Sequence, residues 1–184
     1  MGSIVEISNL GYAILGLIQQ KPSSGYDLRK VFASTAMKSY SDSPGAIYPA
    51  LRRLAQDSFI RRRIEQGAGL RRRQVFRVTA TGIVELRKWI MRPVTQDDIS
   101  SGMKEVMLRF AFAEHVGGAK ASIQILRSLR AQLEEYIPML RAQLDAGKSM
   151  MPRSGRLALE CGIRGNECLL GWTNYALASY AGKE

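Results

Sequence analysis

At 184 residues, 46 % hydrophobic and with a formal net charge of +11, the chain has the composition of a folded protein with one sizeable core or two small ones, which excludes disordered and fibrous classes. Its longest apolar stretches, such as Leu10 to Ile18, are too short to span a bilayer, and no basic segment precedes an apolar core and cleavage site. The expectation is a soluble protein of the cytoplasm with no membrane partner.

The excess charge sits in one half. Residues 1–95 hold 16 Lys and Arg against 6 Asp and Glu, whereas residues 96–184 hold 11 against 10. Two triplets, Arg61-Arg62-Arg63 and Arg71-Arg72-Arg73, supply much of it. One-sided clustering of arginine, whose guanidinium forks onto phosphate oxygens, is the footprint of a polyanion site, and nucleic acid is the first expectation.

In chain order, "ISNLGYAILGLIQQ" (7–20) spaces Leu10, Ile14, Leu17 and Ile18 as a helix, with Ser8 or Asn9 as its cap and Lys21-Pro22 as its stop. "SSGYDLRKVFAST" (23–35) reads as a short second helix capped by Ser23 or Ser24, with Leu28, Val31 and Phe32 inward. In "SDSPGAIYPALRRLAQDSFI" (41–60), Ser43 caps a third helix and Pro44 takes its first position, where a missing N–H and a fixed φ cost nothing. Ile47, Leu51 and Leu54 form its inward stripe, which leaves Tyr48, Arg52 and Arg53 outside. Two extended runs follow, Phe59–Glu65 and Arg73–Thr79, joined by the glycine-bearing "QGAGL", and then "TATGIVELRKWIMRP" (79–93) returns to the helical period. Three helices, a two-stranded wing and a helix make a winged helix-turn-helix, whose third helix is the recognition helix. Arg52, Arg53 and the wing arginines are expected to reach phosphates or base edges.

"ILGLIQQKPSSGYDLRKVF", "SPGAIYPALRRLAQDSFI" and "FRVTATGIVEL" also resemble, in order and spacing, the PadR family of bacterial transcriptional regulators over about residues 10–92. The resemblance implies DNA contacts at Ser24 and Tyr26, at Ser43, Pro44, Tyr48 and Arg52, and at wing arginines such as Arg71, Arg72 and Arg73. Phe76 stands where members of the family often carry tyrosine, and an aromatic packed under a wing needs no hydroxyl there.

The second half is a different object, which divides the chain into a winged-helix DNA-binding domain (1–93) and a helical dimerisation domain (94–184). "VTQDDISSG" (94–102) reads as a polar connection and "KEVMLRFAFAEHV" (104–116) as a mostly buried helix. From Ala119 to Ala146, Leu126, Leu129, Leu133, Ile137, Leu140 and Leu144 recur every three or four residues, close to a coiled-coil seam, with Pro138 as a kink. A last helix aligns Leu157, Cys161, Gly165, Cys168, Trp172 and Tyr175. Stripes of this length call for a partner, so Leu126, Leu133, Leu140, Trp172 and Tyr175 are the expected dimerisation residues of a homodimer. The larger regulators of the resembled family carry a helical dimerisation region there, a likeness of architecture alone.

Cys161 and Cys168 lie two turns apart, too far to pair within one helix, and read as buried reduced thiols. His115 beside Glu114 is a surface or capping residue and not a metal ligand. No nucleophile, base and orienter can be assembled, and no phosphate loop or ligand cluster, so neither enzyme nor cofactor is expected. Trp89, Phe112 and Trp172 are candidates to line an effector pocket. The expected function is that of a homodimeric repressor on double-stranded DNA, with an inverted-repeat operator and release by a small-molecule effector of unknown identity. A basic RNA- or ribosome-associated protein is the alternative.

Overall fold

A computed structural model describes residues 7–40, 43–66, 72–147 and 150–182. The fold is mostly α-helical with one two-stranded sheet, and it divides into two compact units, Met1–Ile90 and Met91–Glu184.

In the first unit α1 (Asn9–Gln20), α2 (Gly25–Ser34) and α3 (Pro44–Gln56) precede β1 (Ile60–Gln66) and β2 (Arg72–Val78), and α4 (Ala80–Met91) closes it. A 3₁₀ turn, Ala36–Ser39, which the hydrophobic periodicity does not announce, follows α2. Ser8 caps α1 by accepting from Gly11 N, and Ser43 caps α3 by accepting from Gly45 N, with Pro44 as the first helical residue. Pro49 remains inside α3. The core gathers Ile14, Leu15 and Ile18 of α1, Leu28 and Phe32 of α2, Ile47, Leu51 and Leu54 of α3, and Leu86 and Ile90 of α4. Trp89 stacks flat on Tyr12 with ring centroids 4.2 Å apart, and Tyr12 Oη donates to Glu85 at 3.3 Å.

The strands pair antiparallel from Ile60↔Val78 to Gln66↔Arg72. β2 takes a second partner at its base, where Ser23 and Phe76 exchange backbone hydrogen bonds at 3.3 and 2.9 Å. The wing is thereby stitched to the residues that open α2. The turn from α3 into β1 puts Ser58 at φ 62°, an uncommon conformation for a residue with a side chain. Thr79 secures that turn: its hydroxyl donates to Ser58 O at 2.7 Å and accepts from Gly82 N at 3.0 Å, in the first turn of α4.

The second unit holds α5 (Gln96–Ser100), α6 (Met103–Gly147) and α7 (Arg153–Ala181). Gly118, at φ 70° and ψ −176°, breaks α6 into arms 103–117 and 119–147, a conformation that suits glycine alone. The first arm buries Val106, Leu108, Phe112 and Ala113; the second buries Ile125, Leu126, Leu129, Leu133, Ile137 and Leu140. α7 packs on α6 through Ile163, Thr173 and Ala176, with Phe110 edge-on to Trp172 and Tyr180 Oη donating to Glu114 at 3.0 Å.

Two expectations are corrected by this packing. Leu126 and Leu133 have no exposed surface and Leu140 almost none. The leucine seam is therefore spent inside the chain. Cys161 and Cys168 are exposed on α7 and not buried, because α7 turns the opposite side to α6.

The segment 94–102 is likewise more than a polar connection. Thr95 and Asp98 form a capping box that starts α5, and Asp98 is buried. Its carboxylate accepts from Thr95 N and from Arg92 Nη2, each at 2.8 Å, and lies 4.0 Å from Arg109 Nη1. Arg109 is 0 % exposed. Burial alone would raise the Asp98 carboxyl, but the hydrogen bonds from Arg92 and Thr95 and the charge of Arg92 outweigh it and hold the group below its ordinary value. A lowered folded value stabilises the unit above the unfolded value of about 4, and that contribution is lost as the pH falls through the folded value. Asp98→Asn should therefore cost about 3 kcal/mol in urea denaturation at pH 7, with the deficit closing in acid. An equal deficit at both pH values would show that Asp98 acts through shape alone.

Candidate nucleic-acid interface

The side chains that α3 leaves outside the core follow from its rotation. Residues four apart on a helix differ by about 40° in direction, so Tyr48 and Arg52 point nearly the same way. With the start of α2 and one face of the wing they line a cleft of about 370 Å³ that holds Ser24, Gly25, Tyr26, Tyr48, Leu51, Arg52, Arg62, Gln74 and Phe76. The wing residues share a face by the two-residue alternation of a strand: Arg62 sits opposite Phe76, and Gln74 is one step on. Among the described residues, two guanidiniums and no carboxylate line this cleft. Tyr26 is 69 % exposed and Tyr48 44 %, so both rings present an apolar face beside the charge. Guanidinium pairs bind phosphate oxygens with charge-assisted hydrogen bonds, and exposed tyrosines add contact area and a hydroxyl.

The sequence-named residues are placed as follows. Tyr26, Tyr48 and Arg52 meet in the cleft. Ser24 lines it as well, but its hydroxyl works in the capping box of α2: it accepts from Asp27 N at 3.2 Å and donates to the Asp27 carboxylate at 2.8 Å. Ser43 is the exposed cap of α3 and Pro44 its first residue. Arg53 is exposed but lies about 100° round the helix from Arg52 and lines a second cleft against α1, with Ile7, Leu10 and Asp57. It is not brought together with Arg52. Arg72 and Arg73 open β2, with their side chains outside the described residues, and Arg71 lies outside them altogether.

Gln74 and Gly25 belong to the cleft although neither is among the expected DNA contacts, and Arg62 is one of the wing arginines expected there only as a group. Strand alternation could have chosen Arg62 from its triplet, since it is the arginine that faces Phe76. On the other face of the wing Arg77 Nη2 donates to Glu65 at 2.9 Å, so that part of the basic surface is neutralised.

The residues proposed for an effector pocket each pack individually. Trp89 is stacked on Tyr12, Phe112 is buried within the second unit, and Trp172 meets Phe110 edge-on. The apolar cleft of the second unit, about 550 Å³, is lined by other residues, among them Ile137, Pro138, Leu170 and Gly171. Among the described residues no group of three or more His, Cys, Asp and Glu could hold a metal ion, and His115 is exposed. Among them, too, no helix is long and apolar enough to cross a membrane.

Three helices, a two-stranded wing and a closing helix, with a basic cleft between the third helix and the wing, define a winged helix-turn-helix. Residues 14–88 match the Transcriptional regulator PadR-like family, whose members are regulators and not enzymes. The chain is 33 % identical over 118 residues to the negative transcriptional regulator PadR of Bacillus subtilis, a match that spans 61 % of each chain. Among solved structures it is similar to a PadR-like regulator of Bacillus cereus, at 22 % identity, 97 % of this chain, 99 % of that one and a TM-score of 0.43. It is also similar to Bacillus subtilis PadR solved in complex with operator DNA, at 20 % identity, 94 % and 99 % coverage and a TM-score of 0.43.

Proposed function

We propose that the chain is a homodimeric transcriptional repressor that works in the cytoplasm and binds an inverted-repeat DNA operator through the first unit. The observation that carries the reading is the convergence of Tyr26, Tyr48, Arg52, Arg62 and Gln74 on one cleft that, among the described residues, has no acidic side chain. The one-sided charge supports it, since phosphate contacts supply most of the affinity of such proteins, and the arginine run 71–73 extends that charge in sequence. Repression agrees with the role of the Bacillus subtilis relative, a negative regulator.

Dimerisation finds its support on the outer side of α7. Ser154, Ala158, Cys161, Gly165, Cys168, Trp172, Tyr175 and Ser179 alternate spacings of four and three, the period of a coiled-coil seam, and all eight are exposed. The small residues fall in the first half and the bulky ones in the second. An antiparallel copy of α7 would set large against small. The apolar cleft at Ile137, Pro138, Leu170 and Gly171 is where a small apolar effector would act to release DNA.

A titration of a duplex from upstream of the chain's own gene against total RNA tests the polymer, and duplex should win. Arg52→Ala and Arg62→Ala should each flatten the slope of log K against log salt by about one unit while leaving the fold intact. Unchanged slopes in both would remove the cleft from the interface. Tyr175→Glu places a charge on a residue that is 72 % exposed, so it should leave the protomer folded and shift its mass in light scattering from dimer to monomer. A Tyr175→Glu chain that stays dimeric would move the interface off α7.

A further inference from the structure

We infer that Gly25 is a positioning residue: by carrying no side chain at the first position of α2 it seats the Tyr48 ring beside Arg52 and Arg62. The inference rests on the DNA-binding reading and adds to it a residue that acts through the Tyr48 side chain. A Cβ at position 25 would fall 2.6 Å from Tyr48 Cε1, 3.2 Å from Tyr48 Cζ and 3.4 Å from Leu51 Cδ1. The ring therefore lies directly on the glycine.

Backbone conformation does not call for glycine here, since its φ lies outside the left-handed region. Helix propensity argues against it, because alanine is the better helix former. Of the two surfaces in conflict, the backbone at 25 is the firmer. The capping box between Ser24 and Asp27 holds it on one side, and the backbone pairing of Ser23 with Phe76 holds the chain before it. The Tyr48 ring is the half-exposed end of a side chain with two free torsions. A methyl group at 25 would displace the ring and leave the helix in place. The cleft would lose its wall between α2 and α3, and the phenol hydroxyl would leave the reach of whatever Arg52 and Arg62 hold.

Stability and recognition should therefore separate. Gly25→Ala should unfold in urea at the same or a higher concentration than the parent chain. Its affinity for the duplex protected upstream of its own gene should fall about tenfold, while the salt slope stays unchanged because no cation is lost. In a Tyr48→Leu background the same substitution should have no further effect on binding, since no ring remains to move. A nuclear Overhauser contact between the Gly25 α-protons and the Tyr48 ring tests the seat without DNA and should be present in the parent chain. Its absence, undiminished binding by Gly25→Ala, or fully additive losses in the double variant would each overturn the inference. A parent chain that shows the contact yet binds no duplex would instead overturn the DNA reading and, with it, the role given to the seat.

Discussion

The rotation of α3 about its own axis is fixed by Ile47, Leu51 and Leu54, which are buried against α1 and α2. They determine that Tyr48 and Arg52 face the wing and that Arg53 faces α1. A turn of the helix by one residue, about 100°, would exchange these roles and dissolve the cleft. The wing depends on the same constraint at one remove, through Thr79, which ties Ser58 at the end of α3 to the first turn of α4, and through the pairing of Phe76 with Ser23. Recognition helix, wing and α2 are thus held by short hydrogen bonds within one core, so their spacing is set before any ligand arrives.

The two compact units differ in charge, the first carrying nearly all of the excess. The first unit exposes guanidiniums and has a small, closed core. The second is nearly neutral and takes its internal order from the α6–α7 packing and from a buried carboxylate held between two arginines. Its outer face is where unsatisfied apolar surface collects, with Leu157, Trp172 and Tyr175 exposed on one helix.

What was legible in the sequence was local. Ser8, Ser24 and Ser43 announce helix starts, Pro44 belongs to a first turn, and two extended runs around glycines make a hairpin, because each of these depends on neighbours within about four residues. Relations across the fold were less so. Adjacent arginines at 52 and 53 look equivalent in sequence, and only the position of α1 separates them. Heptad spacing shows that Leu126, Leu133 and Leu140 need a partner, but not that α7 of the same chain supplies it. The same ambiguity misplaced Cys161 and Cys168, since a stripe that includes them could face either way. α5 escapes the hydrophobic period because five residues are too few to carry one, although its Thr-x-x-Asp capping box is present in the sequence at 95–98.

The central claim is that two copies of one basic cleft read one duplex from the same side. Hydroxyl-radical footprinting of the full chain on the DNA upstream of its own gene tests it most directly. The account predicts protection of two inverted half-sites whose centres lie about one helical turn apart, or a multiple of it, on one face of the duplex. A single unpaired patch of protection, or protection spread without sequence preference over the whole fragment, would contradict it.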